Sequence, residues 1–137
     1  LAKERGLKVN ENKSLESSIY SSLIKVEVKV NGETYTVSGT VNEKNEARIV
    51  EINGYYFEIA LSGNMIIIDH TDQPGVIGQI GNILGASGVN IGAMQVGRKH
   101  QGGKAIMVLS VDAPIESDLI LKIENANTIT KARAISF

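Results

Sequence analysis

The sequence predicts an α+β protein, a four-strand antiparallel meander followed by a strand–helix–strand–strand–helix–strand unit. Three observations carry that prediction. Residues 23–61 alternate apolar and polar side chains and are punctuated by two Asn-Gly pairs, at 31–32 and 53–54. The alternation breaks at Ser62-Gly63-Asn64. Beyond it, two stretches of helical periodicity are each flanked by apolar strands.

The opening Leu1-Ala2-Lys3-Glu4-Arg5-Gly6 reads as the tail of a helix stopped by Gly6. A chain that opens in this way is expected to belong to a longer parent, with any catalytic machinery upstream. Residues 10–18 are polar and without period, and read as a loop. Leu23 to Asn31 puts Ile24, Val26, Val28 and Val30 on one face and Lys25, Glu27 and Lys29 on the other, the pattern of a half-buried strand. Asn31-Gly32 is a two-residue hairpin turn. Glu33 to Val41, rich in Thr, Tyr and Val, is its partner strand. A polar turn at 42–46 leads to a third strand over Ala47 to Ile52. Asn53-Gly54 makes a second hairpin into a fourth strand, Tyr55 to Leu61.

In the second half, Met65 to Asp69 is a strand that runs into a polar turn, Asp69-His70-Thr71-Asp72. Pro74 opens a helix over Gly75 to Ala86, with Val76, Ile77, Ile80, Ile83 and Leu84 on one face. Gly88 closes the turn after it. Asn90 to Gly97 and Lys104 to Val111 are strands joined by the polar loop 98–103. Pro114 precedes a second helix, Glu116 to Ala126, carrying Leu119, Ile120 and Ile123. Ile129 to Phe137 is the last strand. Two strand–helix–strand halves in tandem give a ferredoxin-like arrangement. Right-handed crossovers put both helices on one face of the sheet, so the other face must be covered or solvated.

Composition narrows the function classes. The 137 residues are 42% hydrophobic and 21% charged, which suits a globular core. A net charge of -1 gives no electrostatic case for nucleic acid or an anionic membrane. Absence of Trp and scarcity of aromatics remove the stacking platforms of single-strand binders. No apolar run approaches the ~20 residues that span a bilayer, and no signal peptide is visible at the start. Without cysteine there are no disulfides or thiolate metal sites. A cytoplasmic protein is expected.

Gly75, Gly78 and Gly81 follow an apolar strand, but a dinucleotide fingerprint needs two glycines one residue apart before the helix. Here they lie within it. Each interior glycine costs about 1 kcal/mol of helix stability relative to alanine, so close approach of a neighbouring helix, strand or subunit is the expected gain. Neither histidine has metal-ligand spacing around it, and nothing marks a catalytic nucleophile.

His70, Asp72 and Asn90 form a ligand-site candidate, with the amides at Gly75, Val76 and Ile77 at the helix start. Asp72 can accept from an ammonium group, Asn90 can donate and accept, and helix-start amides favour a carboxylate. That combination suits a zwitterion such as an amino acid. The structural alternative is ordinary capping by Asp72 and a turn at Asn90. Arg48, Arg98, Lys99 and Lys104 are an anion-site candidate or a solvated basic surface.

The run IDHTDQPGVIGQIGNILGASGVNIGA resembles an ACT domain, the amino-acid-binding regulatory module of metabolic enzymes, and that spacing favours the ligand reading over capping. Together with LAKERG, TVSGTV, RIVEINGYYFEI and GAMQVGRK, the chain resembles the C-terminal region of the long-form D-3-phosphoglycerate dehydrogenase family. That resemblance implies two domains, a partial inserted (allosteric substrate-binding) domain at 1–62 and an ACT domain at 63–137. It implies L-serine as ligand, held by His70, Asp72, Gly75 and Val76 of one subunit and Asn90 of another, in a homodimer formed through the ACT domains that can pair into tetramers in the parent. Arg48 matches one basic position of an anion site in the inserted domain. Tyr56, Ala60 and Ser110 depart from the basic or histidine side chains of certain relatives, which argues against a complete second site. The parent would oxidise D-3-phosphoglycerate with NAD to 3-phosphohydroxypyruvate. The fragment itself would have no catalytic residues, no metal and no cofactor. The alternatives are the small subunit of an iron-sulfur L-serine dehydratase and a free-standing amino-acid sensor.

Overall fold

The computed structural model describes residues 8–10, 20–61 and 63–137. The expected helix tail at 1–6 and most of the expected loop at 10–18 lie outside the described residues. Strands β1 (Ile24–Val30), β2 (Glu33–Val41), β3 (Ala47–Ile52) and β4 (Tyr55–Ala60) form one antiparallel sheet in sequential order. The meander is therefore as expected. Both Asn-Gly pairs adopt positive φ, 51° and 83° at Asn31 and Gly32, and 50° and 78° at Asn53 and Gly54. That is the backbone a two-residue turn needs to match the strand twist.

The second sheet holds β5 (Asn64–Thr71), β6 (Ile91–Arg98), β7 (Lys104–Val111) and β8 (Ile129–Ser136), in the order β6-β7-β5-β8. Helices α1 (Val76–Ala86) and α2 (Ser117–Glu124) connect its halves. Ile66, Ile68, Met107 and Leu109 of the sheet pack against Val76, Ile80, Leu84, Leu119 and Ile123 of the helices. Burial of these side chains stabilises α1 despite its interior glycines, since each buried aliphatic contributes roughly 1.5–3 kcal/mol.

The opposite face of this sheet is covered by the meander. Met65, Ile67, Ile106 and Val108 pack against Ile49, Ile52 and Ile59, with Tyr55 and Phe57 at the margin. The order is helices, sheet, sheet. Strands β5 and β7 are thus buried on both sides, which is why MIII and AIMVL are continuous apolar runs without alternation.

Two expectations are corrected. Strand β1 is exposed along its whole length, with Ile24 at 73% and Val26 at 54%, because it is the edge strand farthest from the layer that covers β3 and β4. Ile77 is 55% exposed and does not join the core face of α1. It sits well around the helix from Ile80, at ~100° per residue.

Gly97 marks the closest approach of the two sheets. A Cβ there would lie 3.0 Å from Tyr55 Cβ and 3.3 Å from both Ile106 Cγ2 and Phe57 Cδ1. Gly97→Val is expected to cost about 1–3 kcal/mol by overpacking this seam. Urea denaturation of the wild type and variant measures it, and an unchanged midpoint would mean that the two sheets separate freely.

Candidate functional site

The end of β5 differs from its sequence reading. His70 and Thr71 belong to the strand and not to a turn. Alternation along β5 puts His70 on the helix side with Ile66 and Ile68, and only 3% of it is exposed. Its Nδ1 lies 3.1 Å from the Thr71 carbonyl. With that nitrogen donating its hydrogen, the neutral ring leaves Nε2 as an acceptor. Nε2 is buried and has no partner.

Asp72 follows directly. Its amide donates to the Gly103 carbonyl at 2.8 Å. Its Oδ2 accepts from Arg98 Nη1 at 3.1 Å and from the Gly102 amide at 3.3 Å. These bonds, the Arg98 one foremost, hold the Asp72 carboxyl below its ordinary pKa. Asp72 is therefore a carboxylate at neutral pH and is oriented by the β6–β7 loop. It does not cap α1. The cap position is Gly75, at φ 91°, and no side chain caps the helix. A left-handed φ there explains the glycine. The uncapped first turn also carries no acidic residue, so its amides, including that of Val76, keep their capacity for an anion.

Asn90 precedes β6, and its Nδ2 donates to Asp112 Oδ2 at 2.7 Å. That bond leaves Asn90 Oδ1 as a free acceptor. Asp112 and Arg98 are the orienting partners that sequence reasoning missed. They lie 22 and 26 residues from the groups they hold, so no local spacing signals them.

The strand registers decide how these residues relate. Ile91 pairs with Val111, which pairs with Asn64, at one end of the sheet. Arg98 pairs with Ala105, which pairs with His70, at the other. Within one chain Asn90 and His70 are thus separated by most of a strand, roughly 20 Å at ~3.3 Å per residue. One chain brings His70, Asp72, Gly75 and Val76 together and leaves Asn90 apart.

Strand β6 is an edge of its sheet. On the neighbouring helix, Ile77, Gly81 and Gly85 share one side, and a Cβ added at Gly78, Gly81 or Gly85 would meet nothing within 4 Å. The close neighbour expected at these glycines is not supplied by the described residues of this chain.

Arg48 lies in a small cavity of about 260 Å³ with Asn42, Glu43, Lys44 and Glu46. Its Nη2 is 2.5 Å from Glu46 Oε2. Two carboxylates offset the two cations of that cavity, so an incoming anion would have to displace Glu46. Among the described residues, no group of three or more His, Asp or Glu is arranged to hold a metal ion, and no helix is long and apolar enough to cross a membrane.

Comparison with known proteins accounts for both halves. Residues 64–127 match the sequence profile of the ACT domain. The second half is an ACT domain. Residues 1–53 match the D-3-phosphoglycerate dehydrogenase intervening domain. Along 98% of its length the chain is 41% identical to a D-3-phosphoglycerate dehydrogenase of Bacillus subtilis, covering 26% of that protein. Enzymes of the same name are 34% identical over 98% of the chain in Synechocystis and 33% identical over 99% in Methanocaldococcus jannaschii, with 24% and 26% of those proteins covered. The chain spans about a quarter of the length of these relatives, and it resembles their C-terminal regions.

Proposed function

We propose that this chain is the regulatory portion of a D-3-phosphoglycerate dehydrogenase, with residues 1–62 as part of the intervening domain and 63–137 as an ACT domain that binds L-serine between two copies. The parent enzyme, a cytoplasmic NAD-dependent dehydrogenase in this reading, would carry its catalytic and nucleotide-binding residues outside this chain. The observation that carries the binding mode is the separation of Asn90 from His70 and Asp72 across an open-edged sheet.

Antiparallel pairing of two β6 edges about a two-fold axis would bring the partner's Asn90 to the end of the sheet that holds His70 and Asp72. Exposed sheet edges favour such pairing. Ile77 and the open glycines of α1 would then meet the second copy, where small residues permit close backbone approach. Each site would offer an acceptor from Asn90 Oδ1, a carboxylate from Asp72, an imidazole nitrogen and the uncapped amides of α1. Ammonium, carboxylate and side-chain hydroxyl of L-serine each find a partner in that set.

A ligand that binds only the folded state stabilises it by RT ln(1 + [L]/Kd), about 2.7 kcal/mol at a hundredfold excess over Kd. Thermal denaturation with L-serine, D-serine, glycine and L-alanine is expected to show the largest upward shift with L-serine. A folded, dimeric chain that does not respond to millimolar L-serine would sink the serine assignment.

A further inference from the structure

Thr128 occupies the turn before β8, and its carbonyl accepts from the Thr71 amide at 2.9 Å. That bond fixes Thr128 beside the end of β5, next to His70. Thr128 Oγ1 is buried and has no hydrogen-bond partner, as is true of His70 Nε2. Buried polar atoms are nearly always paired, because an unpaired one keeps its full desolvation cost. Two such atoms at neighbouring strand ends point to a group that arrives from outside.

There is room for that group. Thr128 lines an open groove of about 630 Å³ with Pro74, Gly75, Val76, Gln79 and Asn82. No charged side chain lines it. The groove reaches the uncapped start of α1. Backbone, amides and one hydroxyl suit a neutral hydrogen-bonding group and not a second charge.

We propose that Thr128 is a specificity-determining residue of the amino-acid site, its hydroxyl and His70 Nε2 together recognising the side-chain hydroxyl of the ligand. This inference rests on the amino-acid reading of the ACT domain given above. The polarity is complementary. His70 Nδ1 is turned to the Thr71 carbonyl, so Nε2 accepts the ligand O–H, and the Thr128 hydroxyl donates to the ligand oxygen. A site built to pair a hydroxyl discriminates against an analogue lacking it, since its own buried groups then stay unpaired.

Calorimetric titration of the 137-residue chain with L-serine and L-alanine tests it. The wild type is expected to favour serine. Thr128→Val keeps the shape and removes the hydroxyl, so serine affinity is expected to fall about three- to tenfold while alanine affinity stays unchanged. Thr128→Ser is expected to keep the preference. Because valine removes an unpaired buried atom, the ligand-free valine variant is expected to melt no lower than wild type. A merely structural threonine would instead lower that midpoint and weaken both ligands alike. Should the valine variant not fold, Thr128→Ala against Thr128→Ser gives the same comparison. Serine affinity independent of the hydroxyl overturns the role of Thr128 and leaves the site standing. A wild type that binds neither amino acid overturns the site reading and this inference with it.

Discussion

Glu51→Ala is expected to destabilise the fold by about 2–4 kcal/mol, the loss of several hydrogen bonds to one buried charged group. Glu51 is 4% exposed and lies on β3. Its Oε1 accepts from Thr36 Oγ1 at 2.6 Å and from the Gly54 amide at 2.5 Å, and its Oε2 accepts from Ser38 Oγ at 2.6 Å. Thr36 is tied to the same turn through its amide, which donates to Asn53 Oδ1 at 2.9 Å. One carboxylate therefore joins β2, β3 and the second hairpin turn. Truncation leaves two hydroxyls and an amide without their acceptor.

The same residue makes stability depend on pH. Burial pushes the Glu51 carboxyl up, but the bonds from Ser38, Thr36 and the Gly54 amide outweigh it, and the net pKa lies below the ordinary 4.5. A folded-state pKa below the unfolded value means that the unfolded chain binds the proton more readily. The contribution of Glu51 is thus fully present above the ordinary carboxylate range and is lost as pH falls through it to the lower folded value. Urea midpoints of wild type and Glu51→Gln are expected to differ at pH 7 and to converge below about pH 4. A constant difference between them across that range would assign the effect to shape and not to charge.

Much of this fold was legible because its signals are local. The Asn-Gly turns require positive φ, and both adopt it. The periodicity of α2 located Leu119 and Ile123 on its buried side. What escaped local reading depended on layers. Exposure of β1 follows from which strands the second sheet covers, and four valines and isoleucines at alternate positions carry no information on that. The covering of the second sheet was legible in retrospect, since four consecutive apolar residues at 65–68 exclude a solvated face. The site shows the same division. Residue types at 70, 72 and 90 were read from one stretch of chain. The bonds that orient them, from Arg98 and Asp112, cross strands, and Thr128 reaches His70 only because β8 lies beside β5.

Two variants that each fail to bind L-serine are expected to regain binding when mixed. In one chain, His70 and Asn90 stand at opposite ends of the sheet, so a site using both must draw them from two copies. Asn90→Ala removes an acceptor from a charged ligand group, which costs roughly 1.5–3 kcal/mol, tenfold or more in affinity. Asn90 is exposed and precedes β6, so its bond to Asp112 contributes little to folding. His70→Ala removes the imidazole from the other half of the site. A mixed dimer of the two variants holds one doubly altered site and one with both native residues. Random exchange of subunits makes about half the dimers mixed, and hence roughly a quarter of all sites native. Calorimetry after unfolding and refolding the two together should recover that fraction at wild-type affinity. Placing both substitutions in one chain and mixing it with wild type gives the control, since each site of that mixed dimer is damaged once and none is native. Recovery must also depend on total protein concentration, because ligand bridging two copies favours their pairing by linkage. If the separate variants stay silent on mixing while exchange is demonstrated by mass, both residues serve the same copy, and pairing of β6 edges is not how this protein holds its ligand.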